Sequence, residues 1–115
     1  MKGIFKTVII FLQFSFVPVT NSKPEIFVFI AEDVFQLSDG RLVVSGQIKS
    51  GNIKNSDKLV VKIDNIDKLL VIQQMEVFGK PNGTETGIKG DFVAFTISGV
   101  EKDKIRKGTV FLKER

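Results

Sequence analysis

The sequence predicts an all-β fold, a closed six-stranded, antiparallel-rich β-barrel, and three observations lead there. Six short runs carry strand patterning, no connecting segment holds a helix longer than about one turn, and a glycine sits inside the best-defined strand. Short strands without covering helices leave hydrogen-bonding edges open, and closing the sheet on itself removes them. At 115 residues the chain is one domain, able to bury a single core. A hydrophobic share of 43%, with eleven Phe as the only aromatics, fits a globular protein with a dense apolar interior.

Taken in order, residues 1–22 open with Lys2 and Lys6, run apolar from Thr7 to Val19 with breaks at Gln13, Ser15 and Pro18, and end on Thr20-Asn21-Ser22. This layout reads as a secretory signal peptide cut ahead of Lys23, with an N-terminal β segment as the alternative. The apolar run is shorter than the roughly 20 residues of a membrane-spanning helix, so no permanent membrane anchor is expected. The barrel domain is then residues 23–115.

From Glu25 to Leu37 the apolar residues run almost without interruption through Ile26, Phe27, Val28, Phe29 and Ile30, as in a strand covered on both faces. Ser38-Asp39-Gly40 is a turn, Asp-Gly being a strong hairpin signal. The second strand places Leu42, Val44, Gly46 and Ile48 on one face and Val43, Ser45, Gln47 and Lys49 on the other. A glycine inside a strand weakens it unless a bend or a close backbone approach requires it, so Gly46 predicts a curved sheet. Lys58 to Ile63 alternates, with Leu59, Val61 and Ile63 inward, and Asp64-Asn65-Ile66-Asp67 is a turn. Leu69 to Phe78 is read as one strand with Val71, Met75 and Val77 on one face. Gly79 to Gly90 is a polar loop, its Asn82-Gly83-Thr84 matching either a glycosylation acceptor or a plain turn. Phe92 to Ser98 is the fifth strand with Val93, Phe95 and Ile97 inward. Gly99 to Lys107 is a charged connection with room for one helical turn, and Thr109 to Leu112 is the last strand.

The chain has neither Cys nor His. Disulfides, thiolate chemistry, lipid attachment through Cys and the usual Ser-His nucleophile pair are excluded, so no enzymatic activity and no cofactor are expected. Asp64 and Asp67, three apart, fall short of a calcium loop, and no metal site is expected. The formal charge is +4, of which Lys2 and Lys6 supply two, a weak argument for nucleic acid. Lys49, Lys54, Lys58 and Lys62 are candidates for a basic stripe on the outer face, against the plainer reading of a solvated one.

Glu32-Asp33-Val34-Phe35, Val43-Val44-Ser45-Gly46, Gly51, Ile53-Lys54, Met75-Glu76-Val77-Phe78, Gly90-Asp91-Phe92-Val93, Ser98-Gly99-Val100 and Lys107-Gly108 form an ordered series. In order and spacing it resembles the second, β-barrel domain of translational GTPases of the elongation factor Tu family, here as a stand-alone domain. The resemblance implies that Glu32, Asp33 and Phe35 line a pocket for the amino-acid end of aminoacyl-tRNA. It also implies that Ser45, in place of a Thr, stands beside them and that Glu76 lies close to the terminal adenosine. Phe92 and Gly79 occupy positions where the family has an Asn and a basic residue. The plainer reading of the acidic pair is that Glu32 and Asp33 fix a bend by hydrogen bonding to backbone while Phe35 packs. In that family the GTPase activity belongs to a separate domain with a G-x-x-x-x-G-K-[ST] loop. Gly87-Ile88-Lys89-Gly90 lacks that form, so no GTP binding by this chain is expected.

Two functional readings follow. The first is a non-catalytic binding module, secreted or periplasmic, that contacts an unidentified protein or small ligand. The alternative is a cytoplasmic, translation-related protein or a fragment of a translational GTPase, contacting aminoacyl-tRNA or the ribosome, the only reading with RNA as partner.

Overall fold

A computed structural model of the chain describes residues 25–114, so the expected leader in residues 1–22 lies outside the described residues. Strands β1 (Val28–Gln36) and β2 (Leu42–Ser50) form the hairpin expected around Asp39-Gly40. The Leu37 N–H donates to the Arg41 carbonyl at 2.8 Å, and the Asp39 carboxylate accepts from the Arg41 backbone N–H at 3.1 Å and from Arg41 Nε at 2.9 Å. Along β2, Leu42, Val44, Gly46 and Ile48 are all buried, the face expected from the alternation.

Gly46 carries the curvature. Ala31 lies opposite Gly46 and Asp33 opposite Ser45, so Glu32 is an extra residue on β1, a β-bulge. A Cβ at position 46 would run into the backbone carbonyl oxygen of Ile30, which makes glycine a requirement of the bulge.

The chain continues through β3 (Asn52–Lys54), β4 (Lys58–Ile63), β5 (Ile66–Val71), β6 (Gln74–Val77), β7 (Thr86–Ile88), β8 (Phe92–Ile97) and β9 (Val110–Lys113). A single 3-10 turn at Lys102–Lys104 is the short helical piece expected in the charged connection. Seven strands form one antiparallel sheet in the order β5-β4-β9-β1-β2-β8-β6, and β3 pairs with β7 in a separate ribbon.

The sheet is strongly curled but not the fully closed barrel expected. Its two edges, β5 and β6, are joined by the chain itself through Ile72-Gln73, with no ladder between them. The expected strand from Leu69 to Phe78 is broken at this link, because its halves pair with different neighbours, β4 and β8. The break also reverses the facing: Leu70 and Ile72 are buried ahead of it, Met75 and Val77 after it, and Val71 points outward. The turn after β4 is only Asp64-Asn65, both at positive φ (52° and 67°), so Ile66 and Asp67 belong to β5. The loop expected from Gly79 to Gly90 contains β7, which with β3 lays Ile53 fully buried on the core. The first strand is covered on one face more than both: Phe27, Phe29 and Ala31 are buried while Val28 and Ile30 stay half-buried.

Phe29 centres the core, edge-on to Phe95 at 4.9 Å and to Phe111 at 5.8 Å between ring centres. It thereby ties β1 to β8 and β9.

Candidate functional site

The outer face of β1-β2-β8-β6 gathers most of the residues that the sequence singles out. Asp33 lies opposite Ser45, Ser45 opposite Ala94, and Ala94 opposite Glu76, so Asp33, Ser45 and Glu76 fall on one row across four strands. With neighbouring strands about 4.8 Å apart, the backbones of Asp33 and Glu76 are separated by about 14 Å. Phe35 stands one row away, opposite Val43, and is half exposed instead of packing into the core. Glu32, as the bulge residue, is displaced from the row.

Two concavities flank this face. Glu32 and Asp33 form one wall of an open cleft of about 540 Å³ whose far wall carries Lys102, Arg106 and Lys107. Glu76 lines a separate groove of about 350 Å³ with Gln74 and the loop from Pro81 to Thr84. That loop is held as a turn by the Thr84 hydroxyl, which donates to the Pro81 carbonyl at 2.7 Å. The acidic pair and Glu76 therefore share a face without sharing a pocket. The bend at Glu32 comes from the bulge that Gly46 permits, and among the described residues neither Glu32 nor Asp33 bonds a backbone group through its carboxylate.

One aromatic feature escaped sequence reasoning. Phe92 lies opposite Gln47 on the same outer face, and the Phe78 N–H donates to the Phe92 carbonyl at 2.9 Å, so two exposed rings stand on adjacent strands in the row beyond Ser45 and Glu76. The alternation from Val93 to Ile97 already implies an outward Phe92; only the pairing of β6 with β8 shows that Phe78 is its neighbour.

Polar contacts fix the rim of this aromatic pair. Gln47 Nε2 donates to the Gly90 carbonyl at 3.1 Å, and Lys49 Nζ donates to Gln47 Oε1 at 3.0 Å. The Asp91 carboxylate accepts from the Ile88 N–H at 3.0 Å and from Lys80 Nζ at 3.1 Å. The Ile88 bond first, and Lys80 with it, holds the Asp91 carboxyl below the usual aspartate range.

The basic stripe does not form. Lys58 and Lys62 lie on β4, separated from Lys49 on β2 by β9 and β1, and Lys54 belongs to the β3-β7 ribbon. Lys62 is paired with Asp67 at 3.0 Å and Lys104 with Asp64 at 3.2 Å, so both carboxylates of the expected turn answer lysines. Among the described residues there is no group of three or more acidic side chains placed to hold a metal, and no helix long and apolar enough to cross a membrane.

No family model matches the chain. Among solved structures it is similar to a bacterial selenocysteine-specific elongation factor, EF-Sec, at 20% identity with a TM-score of 0.64 over 76% of this chain and 14% of that one. It is likewise similar to translation elongation factor SelB from Methanococcus maripaludis, in its apo form, at 24% identity with a TM-score of 0.62 over 76% of this chain and 18% of that one. The chain thus spans less than a fifth of either protein's length. What these likenesses establish is the fold: a curled β-barrel of the elongation factor Tu second-domain type.

Proposed function

We propose that this barrel is a non-catalytic, RNA-contacting module of the translation-factor kind, presenting the outer face of β1-β2-β8-β6 to the aminoacylated end of tRNA. The observation that carries the reading is the row Asp33, Ser45 and Glu76 with Phe35 beside it, on a fold shared with translation elongation factors. The exposed rings of Phe78 and Phe92 add a surface on which unpaired bases can stack, an interaction of about 1–3 kcal/mol per base. The reading as an exported module rests on residues 1–22 alone, and nothing in the described barrel favours it.

Fluorescence titration of aminoacyl-tRNA and of deacylated tRNA against the full chain tests the proposal. Preferential binding of the aminoacylated form is expected, with Glu76→Ala and Phe35→Ala each weakening it about tenfold, or about 1.4 kcal/mol. Both side chains are exposed, so thermal stability should hold. Equal affinity for the two tRNAs, unmoved by either substitution, sinks the site; binding to ribosomal particles in its place transfers the RNA contact to the ribosome.

A further inference from the structure

The other flank of the outer surface, across β5-β4-β9-β1, carries apolar residues where solvent-facing strands ordinarily carry polar ones. Leu69 lies opposite Val60, Val60 opposite Leu112, and Leu112 opposite Val28, an unbroken aliphatic row across four strands. Val110, opposite Ile30, widens it on one side. Leu69, Leu112 and Val110 are 46%, 40% and 46% exposed, so the row is open to solvent. With Val71, also exposed, beside Leu69, the contiguous apolar area is on the order of a few hundred Å², the size at which a surface patch marks an interaction site.

The row beside it shows what the patch is built to meet. Val71 lies opposite Lys58, and the Glu114 N–H donates to the Lys58 carbonyl at 2.9 Å, which puts Glu114 on β9's side of Lys58. The two rows therefore read Val71, Lys58, Glu114 and Leu69, Val60, Leu112, Val28. The Lys58–Glu114 pair and the whole second row are self-complementary about a line running along the strands between β4 and β9. A two-fold axis on that line sets Lys58 against Glu114 of a second copy, Val60 against Leu112 and Leu69 against Val28. An axis at right angles to it, along the aliphatic row, would set Lys58 against Lys62, which repel. We infer that this face is an isologous homodimer interface in which two barrels pack sheet to sheet, about 10 Å apart.

The curl of the sheet concentrates contact on the central strands, so the Lys58–Glu114 pairs and Val60–Leu112 govern the association. The surface is separate from the row of Asp33, Ser45 and Glu76, and dimerisation leaves that face free.

Sedimentation equilibrium of the full chain, followed from low to high micromolar, tests this with charge variants whose sites are exposed and do not touch the core. The wild type is expected to approach twice its 12.8 kDa monomer mass. Lys58→Glu alone and Glu114→Lys alone should each weaken the dimer at least tenfold, and the double swap Lys58→Glu/Glu114→Lys should restore it. Leu112→Ser should also give a monomer, with circular dichroism reporting whether its fold is kept. A wild type that stays monomeric throughout overturns the proposal. So does a dimer indifferent to the single reversals, or one that the double swap fails to recover; a larger complex with a different protein in place of the dimer would assign the face to that partner.

Discussion

Gly46 is the residue on which the shape of the sheet depends. The carbonyl of Ile30 and the backbone of Glu32 occupy the space a side chain would need, so even Gly46→Ala forces the bulge to move. The expected cost exceeds the roughly 1 kcal/mol of an average substitution, read as a lower midpoint in urea; an unchanged midpoint would show that β1 can slip without penalty. Asp91 makes a prediction in pH. Its carboxyl is held below the usual range by the Ile88 N–H and Lys80, so the folded state favours the ionised form. That stabilisation is fully present above the ordinary aspartate pKa near 4 and is lost as the pH falls through the lower folded-state value. Thermal melts between about pH 2 and 6 should therefore fall more steeply for the wild type than for Asp91→Asn. Gly46 was legible in the sequence because an interior strand glycine has few reasons to exist. The partnership of Phe78 with Phe92 was not, because it depends on a pairing between strands fourteen residues apart, with a third strand between them.

At the scale of elements, alternation revealed the long strands and missed the short ones. The buried faces of β2 and β8 were legible because one face of each is buried along its length, while the read bounds differ at the ends, as at Ser98, which lies beyond β8. β3 and β7, three residues each, hold too few positions to show a period, and only Ile53 and Gly87 face inward. The break at Ile72-Gln73 was hidden for another reason: the continuous apolar run Leu69-Leu70-Val71-Ile72 ahead of it shows no alternation, so it conceals the reversal of facing. The β4-β5 turn gives a direct check. Asn65 sits at a φ of 67°, a conformation that β-branched residues resist by about 1–2 kcal/mol. Asn65→Val should lower the melting temperature and Asn65→Gly should leave it unchanged or raised, and equal effects would mean that the turn does not fix the register of β5. The candidate site was legible only residue by residue. Asp33, Ser45 and Glu76 come from three strands, and the sequence alone does not tell which rows align.

For the whole molecule, the strand order decides what holds it together. β9 sits between β4 and β1 and joins the β5-β4 hairpin to the remaining four strands. Phe111, fully buried against Phe29, is its main anchor. Phe111→Ala should cost about 3–5 kcal/mol, comparable to the entire stability of a marginal domain, and chemical denaturation would show it as loss of the cooperative transition or a large shift of it. A variant that melts like the wild type would mean that the two parts of the sheet stand independently. The placement of β9 also bears on how the protein is made. A ribosome releases residues from the N-terminus at about 5–20 per second, and until Val110–Lys113 clear the exit tunnel the nascent chain holds a detached hairpin and a sheet with an unfilled edge at β1. Birth of the native barrel therefore waits on the emergence of β9, whatever the earlier strands have already formed.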